Sequence, residues 1–239
     1  MAGCRGGSRW TGDALFGAPA CPSHRAYRCT ARLLIPAAAG RSATVTTTLT
    51  GRTEMADNDE QSLDDMFRLL YEIVPEGYKG EIVGGAIHMS PQRRKHWAGI
   101  RVVLRQLEDH FGPDSSIECD VRLDLPGYRN GFVPDLYKVA DGAEPDVKDN
   151  WHYQDVEFVF EVISRETADS DYGRKKAAYA SGGIPVYVIA DPYTGLCHVY
   201  TSPQGSEYRN AVALKFGDPI DLTGTVLGLT LATDRFRRE

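Results

Sequence analysis

The chain has no apolar run near the ~18 residues that a membrane-spanning helix requires. Its alanine-rich stretch, residues 31–39, is short and flanked by arginine. The expectation is therefore a soluble, cytoplasmic protein. Acidic residues are nearly missing from the first 53 positions, which hold seven arginines against Asp13 alone, so the rest of the chain is more acidic than the net charge of −6 suggests. Cysteine is sparse outside that leader. Cys4, Cys21 and Cys29, with His24, do not follow zinc-finger spacing. Cys119 and Cys197 fall on predicted strands and read as small core residues in a reducing compartment. No internal repeat is present.

Residues 1–54, rich in Arg, Ala, Ser and Thr, lack a sustained apolar period and read as a disordered leader. Two origins fit it: an organelle transit peptide, or a start placed too far upstream with Met55 as the initiator. The second is favoured because periodic sequence begins only after Met55. Residues 55–239 read as one domain, and 42% hydrophobic residues suffice for its core.

The spacing predicts a helix over 63–73 closed by Pro75-Glu76-Gly77, then a hairpin of 79–83 and 86–89 around Gly84-Gly85. A second helix follows, with Trp97, Ile100, Val103, Leu104, Leu107 and Phe111 on one face and Gly112-Pro113 at its end. Strands are expected at 117–125, 132–139 and 156–163, a polar helix at 169–181 and a strand at 186–190. A hairpin of 196–201 and 211–216 precedes a Gly-rich close at 222–231. This order describes an α/β (α+β) fold, a mixed sheet with helices on it.

Glu161 is the anomaly. It interrupts Val156-Glu-Phe-Val-Phe-Glu-Val-Ile163, a run apolar enough to be buried on both faces of a sheet. A buried unpaired carboxylate is costly. A divalent cation shared with Asp135, of Pro134-Asp135, is the economical compensation. Downstream, Asp171, Lys175 and Tyr179 recur every four residues and share one helical face, so an ammonium and a phenol can be aimed at one point. Lys176 points about 100° away around such a helix. Two carboxylates and a lysine read as a metal-dependent phosphodiesterase site.

These residues, with Glu81-Ile-Val-Gly-Gly-Ala-Ile-His-Met-Ser-Pro91, His96, Glu161-Val-Ile-Ser164 and Gly183-Ile-Pro-Val-Tyr-Val-Ile-Ala-Asp-Pro192, resemble the Uma2 (DUF820) restriction-endonuclease family of the PD-(D/E)xK nuclease superfamily. The resemblance spans roughly residues 60–235. It implies a restriction-endonuclease-like mixed sheet flanked by helices, Mg²⁺ or Mn²⁺, and hydrolysis of DNA phosphodiesters. It also implies Asp135, Glu161 and the Val162 carbonyl as metal ligands. Where the wider superfamily places lysine two residues after the glutamate, this chain has Ile163; the resemblance implies that Lys175 takes that role.

Other positions carry two readings each. Glu81 is a further site carboxylate or a solvent-facing strand residue; Tyr179 is a phosphate contact or a core aromatic; His96 is a general base or a capping and packing residue. Arg93, Arg94, Lys95 and Arg174, with Arg165 and Lys176 nearby in sequence, form a candidate DNA-binding patch or a solvated basic loop. The leading expectation is a Mg²⁺-dependent endodeoxyribonuclease, with a homodimer as the route to cutting both strands. The rivals are a non-catalytic nucleic-acid or protein binding module on the same fold, and a phosphodiesterase or RNase sharing the site.

Overall fold

The computed structural model describes residues 46–47, 52–54, 62–91 and 94–239. The leader cysteines, Met55, Arg93 and the side chain of Lys95 lie outside what it describes. Short strands β1 (Thr46–Thr47) and β2 (Arg52–Glu54) run antiparallel to each other, and β2 pairs with β4 (Ala86–Pro91).

Helix α1 (Leu63–Ile73) opens on a reciprocal capping box between Ser62 and Asp65 and buries Met66, Phe67 and Leu70. Strands β3 (Tyr78–Val83) and β4 form the expected hairpin. Its two-residue turn needs positive φ twice, and Gly84 and Gly85 supply +59° and +79°. Helix α2 (Arg94–Phe111) follows, burying Ile100, Val103, Leu104 and Leu107.

Two of the expected strands are broken. Residues 117–125 split into β5 (Ile117–Glu118) and β6 (Leu123–Leu125), because Asp120 sits at φ 55° and turns the chain from one sheet to the other. Residues 132–139 split into β7 (Asn130–Phe132) and β8 (Leu136–Val139) around Val133-Pro134-Asp135, where proline has no N–H for a ladder. Asp135 therefore stands in the break ahead of β8, not within a continuous strand.

A 3₁₀ turn (Tyr153–Asp155) leads into β9 (Val156–Val162). The expected helix over 169–181 is a π-helical turn, Ser170–Lys175, running into α3 (Lys176–Ser181). Strand β10 (Val186–Asp191) lies parallel to β9, and the hairpin β11 (Leu196–Gln204) and β12 (Glu207–Lys215) is longer than periodicity predicted. A small pair, β13 (Ile220–Asp221) and β14 (Thr230–Leu231), closes the chain.

Among the described residues two six-stranded sheets result, ordered β1-β2-β4-β3-β7-β6 and β12-β11-β10-β9-β8-β5, beside the β13–β14 pair. Strand β9 is central, and its alternation divides the core. Phe158, Phe160 and Val162 pack with Ile100, Leu104 and Leu107 of α2, while Val159 and Ile163 pack with Tyr179 of α3 and Tyr187. Glu161 shares the parity of Val159 and Ile163, so it faces the α3 side. Cys197 is buried in the α2-side core and Cys119 packs against it.

Candidate active site

Strand alternation brings Lys79 and Glu81 to one face of β3, and the break before β8 presents Asp135 beside Glu161 of β9. The π turn adds Asp171 and Lys175. Around them is a cavity of about 20 Å³, room for one water or ion, which Val162 also lines.

Glu161 is 2% exposed. Its Oε1 lies 2.5 Å from Lys175 Nζ and accepts the Tyr179 hydroxyl at 2.9 Å. Its Oε2 accepts the Asp135 N–H at 3.2 Å. Asp135 Oδ2 in turn accepts the Val162 N–H at 2.8 Å and meets His96 Nε2 at 2.8 Å, while Oδ1 is bonded to Lys79 Nζ. Lys79 also stands 3.9 Å from Glu161 Oε2 and 3.7 Å from Asp120 Oδ1. Lys175 lies 3.1 Å from Glu81 Oε2 and 3.0 Å from Asp171 Oδ1.

Compensation for Glu161, expected from a cation, comes within the protein from Lys175, Lys79 and the Tyr179 hydroxyl. The charges still do not cancel. Glu81, Asp135, Glu161 and Asp171 are four buried carboxylates against Lys79 and Lys175, which leaves −2, or −1 with His96 protonated.

Protonation follows this imbalance. Burial pushes Glu161 up to about 8, against the pull of Lys175 and with the Asp135 charge adding to it. Asp171 is raised by burial too, only partly offset by Lys175. Burial also opposes ionisation of Asp135, but Lys79 and His96 outweigh it and hold that carboxyl well below the usual range. Burial pulls His96 down, yet the Asp135 carboxylate carries it above its ordinary value. Lys175 remains protonated, because the carboxylates around it overcome its desolvation.

Glu81, which had two readings, is buried at 3% against Lys175. Tyr179 is fully buried, T-shaped on Phe132, with its hydroxyl committed to Glu161. It holds that carboxylate in place and is not positioned as a phosphate contact. Arg94, Arg165 and Arg174 are exposed. Lys176 turns outward, 3.7 Å from Glu207 and over the Tyr200 ring.

Lys79 lines the cavity and pairs with Asp135, and sequence reasoning missed it. The available signal was period two: a lysine two residues before a suspect Glu81 on the same strand must share its face. The Asp135 contact of His96 had no such signal, since it spans distant segments.

Among the described residues no three His, Cys, Asp or Glu side chains converge as a ready-made metal cage. The donors present still fit a hard divalent cation. Two buried carboxylates share one ion-sized cavity, a lysine ammonium already touches one and approaches the other, and negative charge remains in excess. A strand residue turns its N–H and C=O to the same edge. Since the Val162 N–H reaches Asp135, its carbonyl faces that side as well.

No curated protein matches the chain. A crystal structure of a putative nuclease of DUF820 from Anabaena variabilis superposes with a TM-score of 0.58 at 15% identity, covering 74% of this chain and 97% of that one, and so shares its fold. The sequence model of the Uma2 family, described as "Putative restriction endonuclease", matches residues 63–234. With that match extending over most of its length, the chain belongs to the Uma2 family.

Proposed function

We propose that this protein is a metal-dependent endonuclease that hydrolyses DNA phosphodiester bonds at the cavity enclosed by Asp135, Glu161 and Lys175. The observation that carries this reading is the excess of buried carboxylate around a space for a single ion.

Asp135, Glu161 and the Val162 carbonyl would hold Mg²⁺ or Mn²⁺, which when bound supplies an activated water and neutralises charge developing on the phosphate. Lys79 yields its place on Asp135 and pairs with the phosphate or with Asp120. Lys175 keeps its proton, so it acts as a fixed positive donor and not as a base. Glu81 and Asp171 anchor Lys175, and Tyr179 orients Glu161. His96, 20% exposed at its side chain and paired with Asp135, would give a proton to the departing oxygen as the P–O bond breaks. Exposed arginines such as Arg94 and Arg174 offer phosphate contacts on an otherwise acidic body.

One observation favours the non-catalytic reading: Lys79 pairs with Asp135 and Lys175 with Glu161, so each carboxylate already has a cationic partner within the protein. Supercoiled plasmid and a matched RNA, incubated with the full chain in Mg²⁺ or Mn²⁺, discriminate. Metal-dependent nicking of DNA, lost in folded Asp135→Asn and Lys175→Ala proteins, is expected. Equal activity in the variants, or none in the wild type despite metal binding, defeats the nuclease reading.

A further inference from the structure

A second cavity, of about 190 Å³, adjoins the first: Pro91, His96, Val162 and Ser164 line both. Its chemistry differs. Ala98 and Gly99 of α2, with Pro192, Tyr193, Phe216 and Phe236, form apolar walls, whereas among the described lining residues Glu239 is acidic and Arg235 and Arg237 supply positive charge.

These walls are held firmly. Phe236 is 7% exposed and packs on Phe216 and Phe160, with ring centroids 5.2 and 6.0 Å away. The Glu239 N–H donates to the Pro192 carbonyl at 2.9 Å, fastening the closing segment to the end of β10. Arg165 lies 5.0 Å over the Tyr193 ring.

We infer that this cavity receives one nucleobase, turned out of the DNA stack beside a phosphate at the mouth of the smaller cavity. The inference rests on the nuclease reading for its ligand and names what that site recognises next to the scissile bond. The size fits, since a cavity of about 150 Å³ already accepts a benzene ring. Apolar and aromatic walls suit the faces of any base. Exposed Arg235 suits the phosphates that flank an extruded nucleotide, and Arg237, whose Nη1 donates to the Asp234 and Phe236 carbonyls at 2.9 and 3.1 Å, adds positive charge beside it. The shared lining residues set the two cavities side by side, the relation a base has to its neighbouring phosphate.

An unpaired base costs least to extrude. The test is therefore binding of the full chain, in EDTA at low ionic strength, to two short duplexes: one with a single bulged nucleotide, the other with the same bulge lacking its base. Wild-type protein is expected to prefer the base-bearing bulge by about tenfold. Ala98→Phe, an exposed-position change that fills the cavity, and Tyr193→Ala, which removes a wall, are expected to erase that preference while remaining folded by circular dichroism. Equal affinity for both bulges in the wild type, with each of the four bases, overturns the assignment, as does a preference kept in both variants. Plasmid nicking is read separately. A protein that nicks DNA without the base preference loses only the pocket, and one with the preference that never nicks keeps the pocket and loses the hydrolysis.

Discussion

The same two strands carry buried charge at both ends, and the ends behave differently. Toward the end of β8, Lys138 is 1% exposed yet meets Glu157 at 2.7 Å, Asp141 at 3.4 Å and the Val139 carbonyl at 3.0 Å, with the Phe111 ring 4.4 Å away. Its acidic partners reach water, at 25% and 77% side-chain exposure. Just before β8, Asp135 and Glu161 are sealed in with Glu81 and Asp171, and two lysines leave them short of neutrality. A buried lysine alone does not mark a site. What distinguishes the two ends is that one ion cluster has acidic partners open to water, and the other keeps an excess of buried carboxylate.

The contrast breaks first at the lysines. Lys175→Met strands three buried carboxylates and should lower metal-free stability by about 3–5 kcal/mol in urea unfolding. Lys138→Met leaves partners that can hydrate, so about 1 kcal/mol is expected. Similar losses at both would remove the distinction.

Next comes activity. Glu161→Gln should reduce plasmid cleavage by about 100-fold or more, while Glu157→Gln at the other end of β9 should leave it within about twofold. Both are read by initial rates on folded protein.

The pH dependence sharpens the comparison further. Glu161 is raised from an ordinary 4.5 to about 8, so the folded state binds more protons than the unfolded state between those values. Its contribution to stability is present below about 4.5 and is lost as pH rises through about 8. Metal-free protein should therefore weaken across this window, and Glu161→Gln should flatten that part of the curve. A steeper loss in Glu161→Gln than in the wild type would show the shift to be misassigned.

Much of this was legible because the physics was local. Helix α1, the Gly84-Gly85 hairpin and the one apolar face of α2 follow from periods of 3.6 and two and from turn chemistry. Glu161 was conspicuous for the same reason, as an acid inside a run with no polar face. The break at Asp120 was not, since alternation continues across it and only tertiary pairing shows that the flanking strands belong to different sheets; the break ahead of β8 did have a local mark in Pro134, which cannot donate to a ladder. The π turn was hidden too, although it preserves the Asp171–Lys175 contact that α-helical spacing anticipates. The pairing of Lys79 and His96 with Asp135 joins distant segments, and such convergence has no signature along the chain.

The most direct test is a calorimetric Mn²⁺ titration at pH 7 in buffers of different ionisation enthalpy, on wild type, Glu161→Gln and Glu157→Gln. One bound ion with release of a proton, abolished in Glu161→Gln and kept in Glu157→Gln, is what the charge imbalance predicts. Absence of binding in the wild type, or the same binding and proton release in Glu161→Gln, would contradict it.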